Sequence, residues 1–186
     1  MNDQRYSRLS EIVQKKWLIG CPIEIDKGAL LIDQLTKQII LQLRLRNVSD
    51  LPIMQTDLIV YRYDLSGDAV MANEAFISVS LTDMNVNPRL TFGDTTPILL
   101  GANNTRQVKI AFKKVVFADF SVWRNDEENY GDAIELIALT DALEPALAEQ
   151  YIRDYESKYP DNSIRDPKFW PQLFNDRWIC TCGFPN

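Results

Sequence analysis

The sequence predicts a mainly β protein: an immunoglobulin-like antiparallel β-sandwich with a helix at each end. Three observations lead there. Between Ile19 and Leu139, apolar residues recur at every second position in short runs. Turn signals separate these runs. No helical pattern long enough to link parallel strands comes between them.

The elements follow in chain order. Leu9, Ile12, Val13 and Lys16 fall at i, i+3, i+4 and i+7, with Trp17 beside the seam. That spacing predicts an amphipathic helix over roughly residues 4–17, capped by Ser7 or Ser10. "CPIEID" and "GALLIDQL" flank Lys27-Gly28 and are expected to form the first strands. In "KQIILQLRLRNVS", Ile39, Leu41, Leu43 and Leu45 share one face; Gln38, Gln42, Arg44 and Arg46 share the other. This marks a half-buried antiparallel strand. "PIMQTDLIVYRYD" is the next strand, with Ile59, Tyr61 and Tyr63 opposite Leu58 and Val60, and Gly67 supplies the turn after it. "EAFISVSL" groups Ala75, Ile77, Val79 and Leu81. "TPILL", the turn "GANNT" and "RQVKIAF" are expected to form a hairpin, with Val108, Ile110 and Phe112 aligned. At Lys113-Lys114 the alternation slips by one before "VVFADFSVW", which predicts a bulge or a change of strand.

After Leu139 the period becomes helical. Pro145 suits a first helical turn. Leu147, Tyr151 and Tyr155, with Ala148, Ile152 and Tyr159 beside them, predict a helix over about 144–159 that Pro160 ends. An aromatic arm follows, tied down by Phe169, Trp170, Phe174 and Trp178. The expected organisation is a helix over 1–18, a β-sandwich over 19–139, a helix and aromatic arm over 140–177, and a partial zinc-ribbon knuckle over 178–186.

The 186 residues, 46% apolar and 25% charged, suit an ordinary globular chain of one domain with appendages or two small ones. The apolar runs are too short to cross a bilayer, and the N-terminus has no apolar h-region, so the expected location is the cytoplasm. A net charge of −6, with basic clusters no larger than Lys15-Lys16 and Lys113-Lys114, argues against nucleic-acid binding. The chain contains no histidine. That removes Ser-His and Cys-His nucleophile pairs and every His-containing metal site. Phosphate-binding glycine loops and the G-x-S-x-G elbow do not occur either.

The chemistry that remains lies at the end, in "DRWICTCGFPN". Cys180 and Cys182, followed by Gly183, have the form of one turn of a zinc ribbon, whose thiolates hold metal in a tetrahedron. Zinc needs four ligands and this turn supplies two. Cys21 lies in "LIGCPI", the setting of a buried, inert thiol. Three arrangements stand open: a second pair further along the chain, one metal shared between two chains of a homodimer, or no metal. A C-x-C redox pair is a further alternative. Asp126, Glu127, Glu128 and Asp132 do not match a calcium-loop spacing and are expected to form a solvated acidic loop. Trp170 and Trp178 could anchor a partner or pack back on the chain's own body, and Tyr61, Tyr63 and Trp123 are expected in the core or on a sheet face.

"LIDQLTKQIILQLRLRNVSD", "VYRYDLSGD", "VVFADFSVW" and "RWICTCGFPN" together resemble segments of uncharacterised bacterial proteins. In these, an all-β module precedes a C-terminal zinc ribbon of the form W-x-C-x-C-G-x-x-N, with a second cysteine pair downstream. The resemblance implies a binding or scaffolding protein with Cys180 and Cys182 as zinc ligands, and names no substrate. The expected function is a non-enzymatic protein-interaction module that offers loops or a sheet edge to a protein partner. The alternatives are an acid–base hydrolase built on two carboxylates and a thiol redox protein built on Cys180 and Cys182.

Overall fold

The structure is a computed structural model and describes residues 5–12, 16–18, 20–70, 76–125, 133–159, 167–174 and 177–181. It is mainly β, and all its sheets are antiparallel. The chain divides into two compact units. The first comprises Met1–Val13 and Gly20–Asn129, the second Gln14–Ile19 and Tyr130–Asn186.

In the first unit, β1 (Tyr6–Ile12), β3 (Ile23–Asp33), β4 (Ile39–Asn47) and β7 (Thr91–Phe92) lie side by side in that order, and β8 (Ile98–Leu99) also pairs with β4. A second sheet has the order β10 (Val122–Arg124), β9 (Gln107–Phe117), β5 (Ile53–Tyr63), β6 (Phe76–Leu81). β4 buries Ile39, Leu41, Leu43 and Leu45, the face that its alternation predicts. Each such side chain contributes about 1.5–3 kcal/mol on leaving water. A slip of one residue would turn all four outward, so burial fixes the register. β5 buries Leu58 and Val60 and keeps Ile59, Tyr61 and Tyr63 half-buried on its other face. Gly93 stands at φ +90, and a side chain there would press on the Leu43 carbonyl oxygen at 3.2 Å.

Several elements differ from the sequence expectation. Residues 6–12 form a strand, not a helix: β1 pairs with β3, and the register shifts at Leu9. The half-buried residues are Ser7, Ser10 and Ile12. Their spacing of three and then two comes from the extra residue at the bulge, Leu9, whose own three-residue step to Ile12 forms part of the helical pattern in the sequence. The two strands expected around Lys27-Gly28 are one, β3, bulged at Asp26. The "GANNT" turn is no hairpin. β8 belongs to the first sheet and β9 to the second, so the segment between them crosses from one to the other. It buries Leu100 and Thr105, and the guanidinium of buried Arg62 donates to the Leu100 carbonyl at 2.6 Å. At Lys113, β9 carries one extra residue against β5, Asp57 facing Lys114 and Leu58 facing Phe112. This is the slip seen in the sequence.

In the second unit, β2 (Lys16–Leu18) pairs with β11 (Ala133–Glu135). It therefore belongs neither to an N-terminal helix nor to the sheets around it in sequence. α1 (Leu139–Ala142) precedes α2 (Pro145–Lys158), whose buried residue is Ala148, with Tyr151, Ile152 and Tyr155 half-buried. The stripe is thus 148, 151, 152 and 155, and Leu147, expected inside, is 58% exposed. β12 (Gln172–Phe174) and β13 (Arg177–Ile179) form a hairpin. Ile134, Leu136, Phe169 and Ile179 make a buried cluster. Among the described residues no helix is long and apolar enough to cross a membrane.

Candidate functional site

β4 ends at Asn47, which is fully buried. Its side-chain amide nitrogen donates to the carbonyls of Leu51 (2.8 Å) and Val86 (2.9 Å). Its amide oxygen accepts the backbone N–H of Ser49 (2.9 Å) and the Ser49 hydroxyl (2.7 Å). Both donors and both lone pairs are used. The main chain of Asn47 adds two bonds, donating to the Leu90 carbonyl (3.0 Å) and accepting from the Arg89 N–H (2.8 Å). One asparagine therefore ties the β4–β5 connection to the segment that leads into β7. The β9–β10 turn joins them through the Ala118 N–H, which donates to the Pro52 carbonyl (2.9 Å).

These three segments share one end of the first unit and carry exposed apolar side chains: Leu51 at 38%, Leu90 at 54% and Phe120 at 86%. Their backbone is strained. Phe120 (φ 65), Arg89 (φ 68) and Asp83 (φ 53) adopt the left-handed conformation that favours glycine. The tight turn holds Phe120 there. The Phe120 N–H donates to the Phe117 carbonyl, and the Asp119 carboxylate accepts the N–H and hydroxyl of Ser121 at 2.9 and 2.6 Å. Those Ser121 bonds, the hydroxyl first, hold the Asp119 carboxyl below its ordinary pKa. Such an arrangement leaves an apolar side chain exposed at the tip of the turn. The sequence carries one faint sign of it, the absence of glycine from the turn "FADFS".

No family model matches the chain, and no curated protein matches it. Among solved structures, a hypothetical protein from Peptoclostridium difficile 630 is similar at 14% identity with a TM-score of 0.46, over 71% of this chain and 98% of that one.

The residues singled out in the sequence are scattered over both units. Cys21 is buried, and its thiol donates to the Ile23 carbonyl at 3.2 Å. Burial pushes the thiol up to about 12, which keeps it protonated and inert. Cys180, just after β13, is disulfide-bonded, and Cys182 lies outside the described residues. Among the described residues no group of three metal-ligating side chains comes together. The acidic positions Asp126, Glu127, Glu128 and Asp132 also lie outside the described residues.

The aromatic arm divides. Phe169 is buried in the second unit's core, and the carbonyl of buried Thr181 accepts the N–H groups of Lys168 and Phe169. Trp170 and Trp178 are 39% and 49% exposed, and Leu173 faces Trp178 across the hairpin. Tyr61, Tyr63 and Trp123 are half-buried in the second sheet.

An open pocket of 190 Å³ brings Glu11 and Asp94 together with Arg8, Lys27 and Arg44. Arg44 is paired with Asp26 at 2.6 Å. The volume falls below the roughly 300–1,000 Å³ of sites that enclose small molecules.

Proposed function

We propose that this chain is a non-enzymatic protein-interaction module that engages a protein partner through the loop end around Asn47. The observation that carries this reading is Phe120, a bulky aromatic 86% exposed at φ 65. A left-handed conformation costs a residue with a side chain about 1–2 kcal/mol, and an exposed phenylalanine recovers nothing from its own fold. Contact with a partner supplies the missing return.

The strand order supports an immunoglobulin-like arrangement. The connections β4→β5 and β8→β9 both pass from one sheet to the other, while β4 pairs with β7 and β8, and β5 pairs with β9. In such modules the loops at one end of a rigid framework commonly carry the binding surface.

The test places a photo-crosslinking side chain at Leu90 and captures neighbours in living cells. A discrete protein adduct is expected, and Phe120→Asp should abolish it. Absence of any adduct from Leu90, alongside a silent control at Tyr63, would sink the reading.

A thiol–disulfide role for Cys180 and Cys182 is a second reading, favoured by the disulfide at Cys180. The zinc half-site is its competitor and requires both sulfurs reduced, with the remaining donors from a second chain or a further segment. Thiol titration across a glutathione series separates the two. A redox pair cycles between two free thiols and none. A zinc site binds about half a metal per chain when two chains share it, and then resists oxidation.

A further inference from the structure

The first unit has sheet edges at β1, β7/β8, β10 and β6, and three of them are guarded. β1 is bulged at Leu9 and carries Arg8 and Glu11. β7 and β8 are two residues each, and β10 is three residues with Arg124. Short length, bulges and charges are the devices that stop a sheet edge from accepting another strand. β6 has none of them. It is six residues, Phe76-Ile77-Ser78-Val79-Ser80-Leu81, unbulged against β5, without charge, proline or glycine. Phe76, Ser78 and Ser80 are exposed, while Ile77, Val79 and Leu81, which pair with buried Val60, Leu58 and Thr56, are only half-buried. Among the described residues, β5 is the strand that pairs with β6, and no other backbone hydrogen bond involves residues 76–81. The nearest charge on the neighbouring strand, Asp57 opposite Ser80, is already paired with Lys114 at 2.7 Å.

We infer that the β6 edge is the contact between two copies of this chain, joined antiparallel about a two-fold axis. The open amides and carbonyls require an extended strand as the occupant. β6 itself is the strand of matching chemistry. Centred on Val79, a two-fold pairing sets Val79 against Val79 of the second copy, Ile77 against Leu81, and Ser78 against Ser80. Apolar meets apolar on the inner face, hydroxyl meets hydroxyl on the outer, and no charge opposes a charge. The two four-stranded sheets become one sheet of eight. Five residues of each copy pair, a small interface, so the dimer dissociates on dilution.

Sedimentation velocity across a concentration series tests this on the intact chain. The wild type should move from monomer to dimer as concentration rises. Ser78→Lys should stay monomeric with an unchanged far-ultraviolet spectrum, as should Ser78→Glu, and mixing the two should restore association because the opposite charges then lie diagonally across the two-fold axis, within reach of each other. A wild type that remains monomeric, or a Ser78→Lys chain that still dimerises, overturns the inference. Phe120→Asp should dimerise like the wild type. Loss of partner capture by that variant therefore reports on the loop end alone, and loss of dimerisation by the Ser78 variants reports on β6 alone.

Discussion

The side-chain amide of Asn47 and the carbonyl of Leu51 meet at 2.8 Å, inside the fold and four residues apart. That bond turns the β4–β5 connection back over the end of the strand. The second amide proton, on Val86, holds the segment before β7 against it. Loop position here depends on one buried amide more than on loop composition.

Replacing Asn47 with alanine should therefore destabilise the protein by about 2–3 kcal/mol, because the Ser49 N–H and the Leu51 carbonyl lose their buried partner. Asn47→Asp should be no better, since a carboxylate offers no donor to the two carbonyls. Urea denaturation followed by tryptophan fluorescence measures both. A change below about 0.5 kcal/mol for either variant would show that water replaces the amide.

Phe120→Gly should stabilise the fold. Relief of the left-handed strain is worth about 1–2 kcal/mol, and the extra freedom of an unfolded glycine costs about 0.5–1 kcal/mol. A net gain of about 0.5–1 kcal/mol is expected, together with loss of the partner adduct. Stability and binding would then move in opposite directions at one position, as sites kept for function do. A destabilised Phe120→Gly chain would mean that the ring packs on its own fold.

Asp33 governs acid stability in the turn after β3. Arg5 donates to its carboxylate from Nη2 at 2.7 Å and from Nε at 3.0 Å, and the N–H groups of Leu35 and Thr36 add to this. The Arg5 hydrogen bonds come first in holding its pKa at about 2, below the ordinary 3.8. A carboxylate depressed in the folded state is protonated more readily in the unfolded chain. Its contribution is complete above the ordinary value and is lost as pH falls through about 2. Urea midpoints measured at successive pH values should fall between pH 4 and pH 2. Asp33→Asn should be weaker at neutral pH and show less of that decline.

Cys21 should resist thiol reagents in the native state. With its pKa raised to about 12 by burial, almost none of it is thiolate at pH 8. After mild reduction, labelling by iodoacetamide should leave Cys21 unmodified until denaturant is added, as peptide mass mapping would show. Labelling of Cys21 in the native protein would indicate opening of the segment before β3.

Much of the first unit can be read from alternation. β4 buries the apolar face its pattern assigns, and the one-residue slip at Lys113-Lys114 is a bulge. Where the sequence misleads, a bulge or a crossing is responsible. Leu9 breaks the phase of β1 and mimics a helix. The segment from Leu100 to Arg106 resembles a hairpin turn, yet it changes sheets because Leu100 buries and Arg62 holds its carbonyl. The candidate site was harder to see. Asn47 joins its neighbours Ser49 and Leu51 to Val86, far away in sequence, and only the absence of glycine from "FADFS" hints at a left-handed residue there. The spacing of Cys180 and Cys182 suggests a half-site but does not say what its sulfurs bind.

β2 has a consequence for synthesis. Leu18 leaves the ribosome early, yet the residue it pairs with, Ala133, comes only after the whole first unit has been translated. A nascent chain must therefore carry Lys16–Leu18 unpaired while β3 to β10 emerge, and pairing so far apart in sequence is slow. A stop codon anywhere before β11 would strand those residues, and a C-terminal fragment that begins after them would lack the strand that pairs with β11.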